Sequence, residues 1–278
     1  MLQQSHALTA IAPHLLDAAP HMHRSGQLDV RIARSEEEIS AAQALRYRIF
    51  YDEMGARPTL AMQAVRRDID DYDAICDHLL VIDHGSDGRP QVVGTYRMLR
   101  QSVAEQHRGF YSAGEYDLAP LLAASHEGQL LELGRSCVAA EHRTPTTISL
   151  LWRGIATYLA AHGISHMFGC ASLHGTNPDA HAAELSYLHQ HHLAPEPLRA
   201  RALIDVPMDR LAPGSYDVKA AQRALPPLIK GYLGVGALVG DGAFVDPQFN
   251  TVDVFVVMPV GGITRRYLDR FATANDAV

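Results

Sequence analysis

One segment in the middle of the chain constrains the fold more than any other, because it has the pattern of a strand, a polar turn and a helix. The stretch 130–138 (LLELGRSCV) is largely apolar and is interrupted at Gly134, as in a half-buried strand that carries a bulge. Thr144 then offers a capping hydroxyl, and Pro145 suits a first helical turn. Apolar residues follow at helical spacing, at positions 150, 151, 155, 158 and 159. The segment therefore predicts a strand followed by a helix.

Two opposite charges lie on the predicted strand. Glu132 and Arg135 are three residues apart, so a regular strand would place them on opposite faces, whereas a bulge at Gly134 would bring both to one cleft. The helix would present its free amides at the carboxyl edge of the strand, where open α/β sheets bind phosphate groups. An ordinary capped strand-helix unit without a ligand fits these residues equally well.

Composition restricts the classes of protein to consider. The chain has 278 residues, of which 47% are hydrophobic and 20% charged, as in one globular domain. A formal net charge of −7 argues against nonspecific nucleic-acid binding. No apolar run approaches the roughly 20 residues of a membrane span, and no signal peptide is recognised, so we expect a cytoplasmic protein. Neither the 3 cysteines nor the 16 histidines show metal-ligand spacing, so we expect no metal site.

The remaining segments divide into a leader and one domain. Residues 1–27 lack a clear period, which predicts a mobile leader, and the domain spans residues 28–278. A strand at 28–33 and a helix capped by Ser35 open this domain. Charged residues at 55–71 indicate a loop or lid.

Apolar runs indicate further strands, at 78–83, 91–99, 166–173 and 253–258. A helix separates the strand at 166–173 from the central one, which predicts that the two are parallel. The glycines within 240–246 indicate a turn, and residues 263–271 are predicted to form a C-terminal helix.

Seven short motifs lie along the chain, and their joint order is more specific than any one of them. They are LRYRIF at 45–50, the spacing of Asp68, Asp70 and Asp73, CDHL at 76–79, VGTYR at 93–97, ELGRSCV at 132–138, FGCAS at 168–172 and PPLIKGYL at 226–233. In this order they resemble the N-acyltransferases that synthesise ornithine lipids, a branch of the GNAT fold related to acyl-homoserine-lactone synthases. The likeness covers about residues 31–271.

The resemblance implies an α/β fold of the GNAT-like acyl-CoA N-acyltransferase type, with a mixed central sheet flanked by helices and a C-terminal extension. It implies transfer of a 3-hydroxy fatty acyl group from acyl carrier protein to the α-amino group of L-ornithine, giving lyso-ornithine lipid. Catalysis is assigned to Glu132 and Arg135. The residues assigned to substrate binding are Arg46, Phe50, Asp70, Asp73 and Arg97. The residues expected around the oxyanion and the phosphopantetheine arm are Ser136, Cys137, Val138, Arg143, Thr144, Thr146 and Thr147.

The chemistry requires a base, because a neutral amine attacks the thioester whereas the α-ammonium of ornithine is mostly protonated at neutral pH. Glu132 is the candidate, acting directly or through a water, although it could instead pair with Arg135 or Arg97 and only hold the strands. Backbone amides at 136–138 would bind the oxyanion. We expect Cys137 to be a buried thiol and the transfer to be direct, without an acyl-enzyme.

The two charged ends of ornithine call for a cationic and an anionic contact. Arg46 or Arg135 suits the carboxylate, and Asp70 and Asp73 suit the side-chain ammonium. A solvated acidic loop is the alternative interpretation of these aspartates.

The loop before the helix bears on the acyl donor. CoA-dependent members of the wider fold usually carry a Gln/Arg-x-x-Gly-x-Gly/Ala loop there, whereas this chain has HRTPTT at 142–147. Tight wrapping of a CoA pyrophosphate needs glycine, while the phosphopantetheine arm of acyl carrier protein carries one phosphate. We therefore expect acyl carrier protein as donor and partner, no permanently bound cofactor, and peripheral contact of the lipid product with the inner membrane face.

Three other functions compete with this interpretation. A CoA-dependent N-acetyltransferase of a small amine would have a short acyl pocket. A lactone synthase would use S-adenosylmethionine in place of ornithine. A non-catalytic module that binds lipid or carrier protein would keep its binding after Glu132→Gln.

Overall fold

The computed structural model describes residues 23–85, 89–124, 128–204 and 206–261, which build one mixed sheet flanked by helices, as predicted. The strands in chain order are β1 (His23–Ser25), β2 (Leu28–Ile32), β3 (Asp77–Asp83), β4 (Gln91–Arg100), β5 (Tyr116–Asp117), β6 (Gln129–Val138), β7 (Ile164–His174), β8 (Arg201–Ala202), β9 (Leu238–Asp246) and β10 (Thr251–Pro259). Their order across the sheet is β1-β2-β3-β4-β6-β7-β10-β9-β8-β5.

The α-helices cover both faces of this sheet. They are α1 (Glu36–Tyr47), α2 (Leu60–Val65), α3 (Gln101–Ala104), α4 (Ala119–Ala123), α5 (Pro145–His162), α6 (Ala182–His192), α7 (Val218–Ala224) and α8 (Pro227–Gly234). Strand β3 shows the layering, because Leu79 and Val81 pack in the core cluster of α5 while Leu80 and Ile82 pack in that of α1. The alternation follows from the two-residue period of a strand.

The sheet opens between β6 and β7, and this opening positions the site. The two strands are parallel, as predicted, but they pair only from Gln129 opposite Ile164 to Glu132 opposite Phe168. Beyond Glu132, β6 remains paired with β4 while β7 remains paired with β10, so the two strands diverge.

Gly169 lies where the strands part. A Cβ atom on Gly169 would lie 2.2 Å from the carbonyl oxygen of Leu133. No side chain fits at that distance, so the close approach of the two backbones requires glycine.

Strand β6 carries a bulge next to Gly134, as the sequence predicts. Thr95 and Arg97 of β4 are two residues apart, whereas their partners on β6, Cys137 and Gly134, are three apart. The additional residue is accommodated at Arg135, which has a positive φ of 50°. Such a conformation is strained for a residue with a side chain, so the surrounding contacts of Arg135 must hold it.

The predicted central helix is confirmed. Thr144 caps α5 by accepting a hydrogen bond from the Thr147 amide at 3.3 Å, and Pro145 occupies the first turn. The predicted core positions of the helix are all buried: Leu150, Leu151, Ile155, Tyr158 and Leu159.

Two sequence-based expectations differ from the structure. Strand β1 lies within the predicted leader and pairs with β2, so regular structure is present from His23 onward. The predicted turn at 240–246 is strand β9, in which a Cβ on Gly240 would lie 2.6 Å from the Ala200 carbonyl oxygen. The glycine there permits close packing of strands and does not mark a turn.

The predicted helix at 263–271 and residues 1–22 lie outside the described residues. Within the described part of the chain, no helix is both long and apolar enough to cross a membrane.

Candidate active site

A cavity of about 1460 Å³ occupies the opening between β6 and β7. One wall is β6 from Glu132 to Val138, and the facing wall includes Cys170 to Ser172 of β7. The start of α5 and the start of α8 contribute Ile148 and Leu228, which are also exposed to solvent at 39% and 36%. The cavity therefore reaches from the strained bulge in β6 to an apolar rim between two helices.

Glu132 lines this cavity and is buried. Its Oε1 accepts hydrogen bonds from the Ser112 amide at 2.6 Å and the Ser112 hydroxyl at 2.5 Å, and its Oε2 accepts one from the Tyr111 amide at 2.8 Å. Burial raises the pKa of Glu132, while the hydrogen bonds from Ser112 and Tyr111 act in the opposite direction. Because Oε2 has a single donor, it keeps an acceptor site for a further proton.

Arg46 lies behind the wall of the cavity, fully buried. Its Nε donates to Asp68 Oδ2 at 2.8 Å, and its Nη2 donates to Asp73 Oδ2 at 2.9 Å. Burial by itself would raise the pKa of Asp73, but the charge and hydrogen bond of Arg46 hold that pKa below its ordinary value. Both aspartates are therefore anions that are committed to an internal arginine.

Arg97 and Arg135 extend this arrangement toward the cavity. Arg97 Nη1 donates to Asp70 Oδ1 at 2.5 Å, and Arg135 Nη2 donates to Asp70 Oδ2 at 3.2 Å. Arg135 Nε also donates to Asp68 at 3.2 Å, and its guanidinium lies 4.5 Å from the ring centre of Phe249. These contacts hold Arg135 in its strained conformation at the bulge. We call Arg46, Arg97, Arg135, Asp68, Asp70 and Asp73 the arginine–aspartate network.

The structure brings most of the sequence-predicted site residues to one cavity. Those that line it are Phe50, Arg97, Glu132, Arg135, Ser136, Cys137, Val138, Arg143, Thr144 and Thr146. Arg46, Asp70 and Asp73 belong to the network and lie off the lining, and Thr147 is buried under the start of α5. Their contact with a substrate stays a prediction, and their observed contacts favour a positioning role.

The start of α5 has polar and cationic neighbours. Arg143 donates from Nε to the Val138 carbonyl at 3.0 Å and from Nη2 to Glu53 at 2.6 Å, and half of its side chain is exposed. The cavity lining also includes Thr144 and Thr146 beside the free amides of the first turn. Burial raises the pKa of the Cys137 thiol to about 12, so it is not a thiolate at neutral pH.

Three acidic residues of the cavity wall were not identified from the sequence. Glu115, Asp246 and Asp253 line the cavity and each places a carboxylate oxygen within 4.8 Å of the others, a spacing that admits a cation. Asp253 could have been identified from the sequence, because a carboxylate is unusual in the otherwise apolar run 253–258. Glu115 and Asp246 could not have been identified in this way, because neither lies in a continuous apolar run.

Comparisons with known proteins agree with this geometry. A profile of the family described as an acetyltransferase (GNAT) domain matches residues 45–153. The structure of FeeM, an N-acyl amino acid synthase from uncultured soil microbes, matches with a TM-score of 0.50 and 12% identity, covering 87% of this chain and 96% of that one. This likeness confirms the predicted GNAT-like fold.

Two curated relatives share much more sequence. The L-ornithine N(alpha)-acyltransferase of Rhizobium meliloti (strain 1021) is 48% identical over 258 residues, which cover 91% of this chain and 87% of the relative. The enzyme of the same name from Agrobacterium fabrum is 48% identical over 253 residues, which cover 89% of this chain and 86% of the relative. At this identity over most of its length, the chain belongs to the family of L-ornithine N(alpha)-acyltransferases.

Proposed function

We propose that this acyltransferase moves a 3-hydroxy fatty acyl group from acyl carrier protein to the α-amino group of L-ornithine, giving lyso-ornithine lipid. The observation that carries the proposal is the cavity between the diverging strands β6 and β7, which joins a carboxylate, an arginine and a helix N-terminus in one space. Family membership supports ornithine as the acceptor.

The size and lining of the cavity favour a long acyl chain over an acetyl group. Its volume of about 1460 Å³ exceeds the roughly 300–1,000 Å³ of ordinary small-molecule pockets. Leu150, Leu151 and Trp152 of α5 and Tyr232 of α8 line it with apolar surface. An acetyl group would cover little of this apolar lining, so the lining favours a long acyl chain over the rival acetyltransferase.

The donor would enter at the start of α5. The free amides of the first turn and Arg143 would bind the single phosphate of a phosphopantetheine arm. Arg153 and Lys230 also line this part of the cavity and would attract an acidic carrier protein. No cofactor would stay bound, because the arm leaves with its protein after each transfer.

The acceptor would lie against β6. Arg135 Nη1 forms no hydrogen bond within the described residues, so it would be available to the carboxylate of ornithine. Glu132 Oε2 would take a proton from the α-ammonium, and the neutral amine would then attack the thioester carbonyl.

The transfer would proceed through a tetrahedral intermediate. A carbon–nitrogen bond forms in the attack, and the oxyanion would be held by backbone amides of the stretch 136–138, which has no partner strand on the side of β7. The carbon–sulfur bond then breaks, the phosphopantetheine thiolate takes one amine proton, and one further proton is released to water. Cys137 is protonated and stays outside the reaction, which favours direct transfer.

The product carries a fatty acyl chain, so we propose that it leaves over the apolar rim formed by Ile148 and Leu228. Such a rim would make peripheral contact with the cytoplasmic face of the inner membrane. Sedimentation with anionic vesicles would measure this contact, and Leu228→Ser would weaken it.

The decisive experiment is mass spectrometry of the products that the purified protein forms from 3-hydroxyacyl carrier protein and L-ornithine. Acyl-CoA serves as the alternative donor and S-adenosylmethionine as the alternative acceptor. We expect N-acylornithine with the carrier-protein donor. Product from acyl-CoA alone would refute the donor assignment, and an acyl lactone would identify a lactone synthase.

Glu132→Gln tests the assignment of the base. We expect at least a 100-fold loss of kcat, because the base is removed. The side-chain oxygen of glutamine still accepts the hydrogen bonds from Ser112, but its NH2 group cannot accept the one from the Tyr111 amide, so the melting temperature should fall while the protein still folds. Glu105→Gln, at an exposed position outside the cavity, is the matched control. If Glu132→Gln forms product at the wild-type rate, Glu132 has only a structural role. If neither the wild type nor the control variant forms product, the interpretation as a binding module gains support.

A further inference from the structure

The cavity contains a second group of charges that the reaction above does not use. Glu115 follows a short 3-10 helix (Tyr111–Gly114), Asp246 ends β9, and Asp253 lies on β10. We call Glu115, Asp246 and Asp253 the acidic triad. Its carboxylate oxygens lie within 4.8 Å of one another, and all three residues line the cavity.

The triad differs from the arginine–aspartate network because its charges are not compensated. Within residues 23–261, apart from the gaps in the description, no lysine, arginine or histidine forms an ion pair with any of the three. Glu115 and Asp253 are 7% and 5% exposed, so water does little to stabilise their charge. The described residues therefore supply no ion-pair partner for the acidic triad.

Buried polar atoms without hydrogen-bond partners also indicate a ligand at the triad. Glu115 Oε2 and Asp253 Oδ1 are buried without a hydrogen-bond partner. The hydroxyl of Thr251, a neutral residue of the same wall that is 3% exposed, forms no hydrogen bond of good geometry, although it lies close enough to Asp253 to lower the pKa of that carboxyl. Buried polar atoms are nearly always satisfied, so three orphans at one point of a cavity indicate a ligand that donates several hydrogen bonds.

The pKa shifts of the acidic triad agree with a site that binds a cation. Burial and the neighbouring Asp253 raise the pKa of Glu115 to about 7. Burial raises the pKa of Asp253 to about 6 with a contribution from Asp246, although hydrogen bonds from Ser172 and Thr251 act in the opposite direction. Both shifts report the energy needed to place several negative charges together in a low-dielectric site.

We propose that the acidic triad binds the side-chain ammonium group of the diamino acid acceptor and so selects ornithine over neutral amino acids. This inference rests on the proposed function and specifies the part of the site that recognises the substrate. An alkylammonium has three N–H donors, which match three carboxylates. Arg135, on the same cavity, would bind the carboxylate at the other end. Phe249 contacts both groups, because its ring lies 4.5 Å from the Arg135 guanidinium and its amide donates to Asp246, so its ring would contact the methylenes.

A divalent metal ion is the competing occupant. Mg²⁺ requires six oxygen ligands in strict octahedral geometry, and Ca²⁺ takes six to eight oxygen ligands. Three carboxylates supply only part of either coordination shell. The triad also lacks a histidine or cysteine that would favour a transition metal. The cavity setting therefore favours the ammonium group.

The test compares L-ornithine with L-norvaline, which has the same carbon chain without the terminal amine, using one acyl donor. For the wild type we expect kcat/KM to favour ornithine by at least about 100-fold. Asp253→Asn and Glu115→Gln should each reduce this preference about tenfold or more by raising KM for ornithine, with norvaline little changed. Asp71→Asn, an exposed aspartate outside the cavity, is the matched control and should keep the wild-type preference.

The outcomes separate this inference from the proposed function. If the wild type does not acylate ornithine at all, the proposed function fails. If it does, but both triad variants keep the full preference for ornithine, the triad assignment is refuted. A preference that disappears after EDTA treatment and returns with Mg²⁺ or Ca²⁺ would also refute it. Thermal melting verifies that each variant folds, and Glu115→Gln decides if Asp253→Asn does not.

Discussion

Replacing Glu115 by glutamine should stabilise the protein, and the gain should grow with pH. Glu115 is a buried carboxyl without an ion-pair partner in the described structure, and its pKa of about 7 lies well above the 4.5 of an ordinary glutamate. The proton therefore binds more tightly to the folded protein than to the unfolded chain. Glutamine keeps the shape of the side chain and a polar carbonyl group but cannot ionise, so it removes the pH-dependent part of this energy.

The sign and size follow from proton linkage. Below about pH 4.5 both states hold the proton, and the wild type has its full stability. As pH rises through about 7, the unfolded chain has already released the proton, so the wild type loses about 3 kcal/mol in total. About 2 kcal/mol of this loss falls between about pH 5.5 and about pH 8.5. The free-energy difference between Glu115→Gln and the wild type should increase by that amount over the same range.

Urea unfolding followed by circular dichroism, with linear extrapolation at each pH, measures this difference. Glu105→Gln, an exposed carboxylate on the surface, should show no such trend against the wild type. A constant gap between Glu115→Gln and the wild type, within about 0.5 kcal/mol, would mean that the charge of Glu115 is compensated in the folded protein. It would contradict both the raised pKa and the need for a cation at the triad. Saturating L-ornithine should in turn stabilise the wild type more than the variant at high pH.

Other expected outcomes test the scaffold. Gly169→Ala should lower the free energy of unfolding by about 2 kcal/mol or more, because its Cβ would lie 2.2 Å from a carbonyl oxygen of the neighbouring strand. Gly134→Ala is the control, since a Cβ there would have no atom within 4 Å, and it should change the free energy of unfolding little in the same urea titration. Arg46→Met should cost about 3–5 kcal/mol, because it removes the buried cation between Asp68 and Asp73 and leaves the network with an excess negative charge. Arg66→Met, at an exposed ion pair, should cost less than about 1 kcal/mol. Thr144→Ala should lower the free energy of unfolding by about 1 kcal/mol, because the cap of helix α5 is lost, and this loss should appear as a lower melting temperature. An unchanged melting temperature would mean that the helix does not need this cap.

The local sequence predicts the central strand, its bulge and the following helix because each depends on neighbours in the chain. Gly134 indicated the irregularity, and Thr144 with Pro145 marked the helix start. The predicted parallel pairing of β6 and β7 also follows from a local fact, the helix between them. What the pattern does not contain is where the pairing stops, since that depends on the approach of Gly169 to a distant backbone.

Strand β9 shows why the same rules fail elsewhere. Gly240 and Gly242 predict a turn by composition, yet Gly240 is required by the nearby Ala200 carbonyl, which is 40 residues earlier in the chain. The acidic triad is harder still to predict, because Glu115 and Asp253 come from segments that have no common pattern and meet only after the sheet has formed. Tertiary contacts decide both cases, and the periodicity of a short sequence segment does not predict them.

The placement of the charges also explains why some motif residues hold the site together and do not line its wall. Asp68, Asp70 and Asp73 pair with three arginines, so the charges of these aspartates are compensated and leave little attraction for the ammonium group of a ligand. Its contribution is to hold Arg135 at the bulge, where a positive φ would otherwise be unfavourable.

A site of this kind needs two different kinds of charge. Charges that fix geometry must be compensated inside the protein, because an unpaired buried ion destabilises the fold. Charges that select a substrate must remain uncompensated until the substrate arrives, because only then does binding restore the lost interaction. Asp73, with its pKa held low by Arg46, belongs to the first kind, and Glu115, with its pKa raised to about 7, belongs to the second. Opposite pKa shifts of carboxylates near one cavity therefore distinguish the residues that build this site from those that we infer recognise its ligand.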